Sequence, residues 1–160
     1  MAKAKINKEM TDKNLTFKKI KTDSDINKVL SHNADAFMDI PMTIGWSKND
    51  LKKELEDGWE IFSASFGPDI VACLFLKDEK SVLFTKNTPV KLQFQGNGFS
   101  HTIKEFYEDE AQTRRIKKII SYCPSNNFRM ISLNEGHQYK RTGRFFGKDN
   151  EIIEWEKLIG

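Results

Sequence analysis

The feature that most constrains this chain is a change of hydrophobic period around two glycines. Val90-Lys91-Leu92-Gln93-Phe94-Gln95 alternates apolar and polar, the pattern of a strand with one buried face. Gly96-Asn97-Gly98 interrupts it. Ile103, Phe106, Tyr107 and Ala111 then recur three and four apart, which predicts a helix from about Ser100 to Arg114. Ile116–Cys123 reads as a strand again and stops at Pro124. Strand, helix and strand in that order require a parallel crossover of right hand, and so a sheet with helices packed on it.

The remainder fits such a sheet. Leu15, Phe17 and Ile20 predict a first strand. Thr22-Asp23-Ser24-Asp25 supplies the N-cap of a helix carrying Ile26, Val29 and Leu30. Ala34, Phe37, Met38 and Ile40 extend that helix or form a short second one, ended by Pro41. Ser47 and Asp50 form a capping-box-like pair before Leu51 and Leu55, and Gly58 ends that helix. Two strands meet at Gly67-Pro68-Asp69; the second, Ile70 to Leu76, is apolar enough for a central strand. Ser81–Thr85 gives a further strand or an extension. Asn126 or Asn127 caps a short helix bearing Met130, Ile131 and Leu133, and a last strand pair follows across Gly147-Lys148-Asp149-Asn150. The expected class is a mixed α/β or α+β sheet in the order β-α-α-β-β-β-α-β-α-β-β.

Charge narrows the partners. The net +3 is uneven: residues 1–22 hold seven Lys against Glu9 and Asp12, a balance of +5, which leaves −2 on the rest. A nucleic-acid-binding domain needs its basic residues clustered on the fold, so nucleic acid is not the expected partner. Residues 1–13 are expected to be a flexible lysine-rich leader and 14–160 a single domain, with no apolar stretch long enough for a signal or a membrane span. Cys73 and Cys123 form no CxxC pair and are expected to be reduced, in a cytoplasmic protein; no metal-ligand spacing is seen.

Chemistry is concentrated at Gln95-Gly96-Asn97-Gly98-Phe99-Ser100. Glycines there permit a tight turn and a close backbone approach, and the helix that follows begins with unpartnered N–H groups and the positive end of its dipole. That is a cradle for a phosphate or pyrophosphate. An ordinary turn into a helix cap uses the same residues. The loop is neither a P-loop nor a GxGxxG fingerprint.

At this point the chain resembles the GNAT N-acetyltransferase superfamily, whose acetyl-CoA loop reads Arg/Gln-x-x-Gly-x-Gly/Ala between a strand and a helix. Gln95, Gly98 and Ser100 stand at those positions, the last as a near match. Gly136-His137 stands where the family has Gly-Phe, and the element order agrees over about residues 15–159. The resemblance implies an acetyl-CoA-dependent transferase acting on an amine, whether a small molecule, a lysine or a protein N-terminus. It implies that amides of Gly96, Asn97, Gly98, Phe99 and Ser100 hold the pyrophosphate and that Gln95 begins the loop. It also implies that Leu92, Gln93 and Phe94 line the pantetheine arm where two strands splay, and that Asn126 or Asn127 bonds it.

The family's general acid, a Tyr four residues before the Gly, falls on Ser132 here; Tyr122 and Tyr139 are the nearby phenols and Glu60 a candidate base. His101 reads as a surface or capping residue. Phe37–Trp46, apolar for a connecting segment, is a candidate acceptor wall, core cover or homodimer surface. The alternative reading is a GNAT-fold binding or structural protein that has lost catalysis, including a virion-associated protein of phage type.

Overall fold

The computed structural model describes residues 15–32 and 46–160. The expected leader, the helix extension at Ala34–Ile40 and all but Trp46 of the candidate acceptor wall lie outside the described residues. Seven strands form one sheet: β1 (Leu15–Lys19), β2 (Glu60–Phe66), β3 (Asp69–Glu79), β4 (Val82–Asn87), β5 (Lys118–Pro124), β6 (Lys140–Phe146) and β7 (Ile152–Leu158). Their spatial order is β1-β2-β3-β4-β5-β7-β6. Every neighbouring pair is antiparallel except β4 and β5, which run parallel. Helices α1 (Asp23–Leu30) and α2 (Lys48–Glu56) connect β1 to β2, α3 (Phe99–Thr113) connects β4 to β5, and α4 (Phe128–Gly136) connects β5 to β6. This is the expected mixed α/β architecture, in the expected order.

Local chemistry sets the boundaries. Thr22 caps α1 by accepting from the Asp25 N–H, while the Asp25 carboxylate accepts from the Thr22 N–H, so two orphan donors are satisfied at once. Ser47 caps α2 and Asn127 caps α4, each through a bond from the backbone N–H three residues on. Gly67 takes φ +58 at the two-residue turn into β3, a conformation that β-carbons disfavour.

The sheet separates two cores. On one face Ile20, Ile26, Val29, Leu51, Trp59, Ile61, Cys73 and Phe75 pack with α1 and α2. On the other, Leu83, Ile119, Cys123 and Trp155 meet Phe99, Ile103, Tyr107 and Ala111 of α3. Both cysteines are free and fully buried.

One element differs from expectation. Val90–Gln95 is not a strand: Leu92–Phe94 forms a single 3-10 turn, and the strand of the parallel pair is the earlier Val82–Asn87. After β4 the chain still follows β3, through Thr88 N–H to Cys73 O at 3.0 Å and Lys91 N–H to Val71 O at 3.0 Å. Beyond that bond the pairing with β3 stops, and the chain turns. Leu92 is accordingly 82% exposed.

Candidate functional site

The site begins where the sheet comes apart. Parallel pairing of β4 and β5 runs only from Val82↔Lys118 to Phe84↔Ile120. Both strands continue, β4 to Asn87 and β5 to Pro124. Each is held by its outer neighbour, β4 by β3 up to Leu74↔Asn87 and β5 by β7 up to Pro124↔Ile152. The inner edges therefore separate without either strand losing its place. A cavity of about 780 Å³ lies at this opening, bounded by Pro89 and Val90, by the Gln95–Ser100 loop, and by α3 and α4. That is ample for a cofactor-sized ligand.

The loop is shaped by its glycines. Gly96 has φ +82 and Gly98, the N-cap of α3, has φ +79, both left-handed. A glycine cap has no side chain to offer, and no side chain caps α3. The first intrahelical bond is Thr102 N–H to Gly98 O at 3.2 Å, so the N–H groups of Phe99, Ser100 and His101 have no partner within the helix. Asn97 turns inward instead, donating from Nδ2 to Phe94 O at 3.1 Å. Gln95 braces the loop on both sides: its Nε2 donates to Val90 O at 2.9 Å, and its Oε1 accepts from Arg129 Nη1 of α4 at 3.0 Å. At the other wall Tyr107 donates to Asn87 Oδ1 at 2.9 Å, and Asn87 Nδ2 donates to Thr88 O at 2.9 Å.

The fold distributes the sequence candidates unevenly. Phe94, Gln95, Gly96, Gly98, Phe99, Ser100 and Asn127 border the cavity. Leu92 and Gln93 stand exposed on the 3-10 turn and are not among its walls, because the strand expected to present them is absent. Asn126 is exposed and also outside the walls; the cap of α4 is Asn127, whose Oδ1 is occupied by Met130 N–H at 3.1 Å, leaving its Nδ2 to donate. Ser132 lines the cavity.

The catalytic candidates do not converge. Glu60 is bound to Arg114 through both carboxylate oxygens and to Lys19 at 3.0 Å. Arg114 follows the last turn of α3, about 22 Å along the axis from the glycine loop at 1.5 Å per residue. Glu60 therefore closes an ion-pair cluster rather than serving the cavity. Tyr139 is buried under α3, with its hydroxyl unpartnered. Tyr122 projects from β5 to the opposite face of the sheet from Cys123. Its hydroxyl donates to Glu154 Oε2 at 3.0 Å, and Thr142 donates to Glu154 Oε1 at 2.8 Å. Burial first, and the Glu154 carboxylate second, push the Tyr122 phenol up to about 12. Proton transfer from such a phenol to a thiolate of ordinary pKa is uphill by roughly 4–5 kcal/mol.

Two features went unseen in the sequence. Lys104, between Ile103 and Tyr107, is only 4% exposed and borders the cavity. His101 Nδ1 and His137 Nε2 are 2.9 Å apart across 36 residues of sequence, and His137 Nδ1 lies 3.3 Å from Glu108; His101 is exposed, as a surface residue should be, but it is tied to the end of α4. Burial holds His137 below the usual imidazole value, against the opposing pull of Glu108. Among the described residues no group of three or more His, Cys, Asp or Glu is arranged to hold a metal ion, and no helix is long and apolar enough to cross a membrane.

Comparison with known proteins places this architecture. No family model matches the chain, and no curated protein matches it. Solved structures do. Spermidine N-acetyltransferase from Vibrio cholerae, in complex with CoA and spermine, superposes with a TM-score of 0.75 at 16% identity, covering 92% of this chain and 97% of that one. The ribosomal-protein-S18-alanine N-acetyltransferase from Escherichia coli gives 0.69 at 14% identity, covering 91% and 94%. An N-acetyltransferase from Staphylococcus aureus Mu50 gives 0.70 at 12%, covering 92% and 99%. The fold is that of the GNAT N-acetyltransferases. In this fold the end of β4 at Asn87, the uncapped start of α3 and the Asn127 cap of α4 surround one cavity.

Proposed function

We propose that the protein is an acetyl-CoA-dependent N-acetyltransferase of the cytoplasm that acetylates an amine. The observation carrying this reading is the uncapped N-terminus of α3, set behind two left-handed glycines at the mouth of the opening between β4 and β5. The residues present suit such a ligand. Free N–H groups and the helix dipole favour an anion, Arg129 and Lys104 add positive charge, and Pro89, Val90, Phe94 and Ile103 give an apolar wall for an extended chain. Bound acetyl-CoA would supply an activated thioester acyl group. The backbone amides from Phe99 to His101 would hold the pyrophosphate, the braced Gln95 would fix the loop, and the Asn127 amide would be free to donate to the arm. The structural neighbours named for spermidine and for a ribosomal protein's alanine act on amines, and the acceptor proposed here is of that broad class.

Titration calorimetry with acetyl-CoA tests the reading. Wild-type protein binds, and Gly98→Glu loses affinity by at least about a hundredfold, because a carboxylate then faces the anion and a side chain must adopt φ +79. No heat from the wild type defeats the proposal.

A second reading has its own observation. Ser132 occupies the position of the family acid, Tyr122 is tied to Glu154 and Glu60 is tied to Arg114. A GNAT-fold binding or structural protein without turnover fits that arrangement. Release of free CoA thiol in the presence of a polyamine, a lysine peptide and an alanine-terminated peptide supports the first reading; binding without release supports the second.

A further inference from the structure

Lys104 is out of place on the face where it sits. It shares the buried side of α3 with Phe99, Ile103, Tyr107 and Ala111, and it borders the cavity. Its Nζ lies 4.3 Å from the centroid of the Tyr139 ring. No salt bridge pairs it with a carboxylate of the described residues. Glu108, the acid one turn further along α3, is engaged by Lys157 at 3.2 Å and by His137 at 3.3 Å. A buried lysine is ordinarily neutralised by a paired acid or excluded from the interior; this one is neither.

We propose that Lys104 is a self-acetylation site, its amine accepting the acetyl group of a thioester bound in the cavity. The proposal rests on the acetyl-CoA reading of the same cavity. The neutral Nζ attacks the thioester carbonyl carbon, a C–N bond forms and the C–S bond breaks. CoA leaves as the thiolate and takes up the proton that Nζ sheds. The product is a neutral acetamide where a buried ammonium stood. The amine is chemically prepared for this: burial pushes its pKa down to about 8. The groups facing it are Glu108 and Lys157, whose charges oppose one another, the Cys123 thiol, the Tyr139 phenol and the His137 imidazole.

The test uses the full chain. Folded protein is incubated with acetyl-CoA at about pH 7 and about pH 9, digested, and acetylation is quantified at each lysine by mass spectrometry, with heat-unfolded protein as the chemical background. Lys104 is expected to be modified at least about tenfold faster than the median exposed lysine when folded, and no faster when unfolded. Its rate should rise only about tenfold between the two pH values, whereas exposed lysines near their ordinary pKa should rise about a hundredfold. Excess unacetylated CoA should suppress it, as should Gly98→Glu assayed at a temperature below its melting transition. Calorimetry on the same sample separates the two claims. Binding of CoA with Lys104 unmodified, or modified equally in Gly98→Glu, overturns self-acetylation alone. Absence of CoA binding overturns both.

Discussion

The two faces of the sheet are finished to different standards. On the α1/α2 face the buried polar groups are mostly paired. Asp25 accepts from the Lys21 and Thr22 N–H groups and contacts Lys18, and Lys86 meets Glu54 at 2.8 Å while its ammonium lies 4.3 Å from the Trp59 ring centroid. His32 Nδ1 is the exception among the described residues. On the α3/α4 face Ser121 Oγ, both polar atoms of the Asn134 amide, Tyr139 Oη and Trp155 Nε1 are buried without partners, and Lys104 is buried without an acid. Each unpartnered group costs on the order of 1–3 kcal/mol. Polar groups are thus satisfied on one face, and unspent hydrogen-bonding capacity is concentrated on the face that holds the cavity.

Core truncation should show this difference most strongly. Leu51 is fully buried in the closed core, and Leu51→Ala is expected to lower unfolding free energy by about 4 kcal/mol. Ile103 is nearly as buried but borders the cavity, so part of the space it would vacate is already open. Ile103→Ala should cost about 2 kcal/mol. Urea melts of the two variants decide it; equal losses would mean that the faces are packed alike.

Lys104→Met should act in the opposite direction. Its folded pKa of about 8 lies below the ordinary lysine value of 10.5, so between those values the unfolded chain binds more protons than the folded one and stability rises with pH. Below pH 8 the whole penalty is present, about 3 kcal/mol. The variant should therefore gain about that much near pH 7, with the gain over wild type shrinking to zero by about pH 10.5. A variant that is destabilised at pH 7 would show that the contact with Tyr139 outweighs desolvation.

Element order was legible because each element carries its own period, cap or turn. Thr22, Ser47, Asn127 and Gly67-Pro68 all act locally, and all stand where their chemistry predicts. The glycine turn into α3 was legible for the same reason. Val90–Gln95 was not. Alternation reports that a segment has two unlike faces, but not that a neighbouring strand has an edge to offer, and here β3 ends its support at Lys91. Lys104 does sit at helical spacing from Tyr107 and Ala111, yet a lysine in an apolar stripe reads as solvated until the opposing surface is known. The His101–His137 contact depends on where α4 ends relative to where α3 begins, which no spacing within either helix encodes.

The smallest expected effect concerns the link between the faces. His32, at the end of the α1 segment, is 1% exposed, and its Nε2 lies 2.9 Å from Thr88 Oγ1. That same oxygen accepts from Cys73 N–H at 2.8 Å. Thr88 begins the stretch that carries the chain from β4 to the glycine loop, so the closed face anchors the wall of the cavity at this point. Burial, with a lesser contribution from Lys91, pushes the His32 imidazole down to about 4. Because that is below the ordinary imidazole value of 6.5, the unfolded chain takes up the proton first, and stability is lost as pH falls from 6.5 towards 4. By about pH 5 the loss should reach about 2 kcal/mol. His32→Asn keeps a polar group for Thr88 but cannot titrate there, so the difference in melting free energy between wild type and variant should narrow by that amount between about pH 7 and pH 5. If acetyl-CoA affinity in the wild type also falls over this interval while that of the variant holds, the anchor transmits to the cavity; a parallel decline in both confines His32 to the closed core.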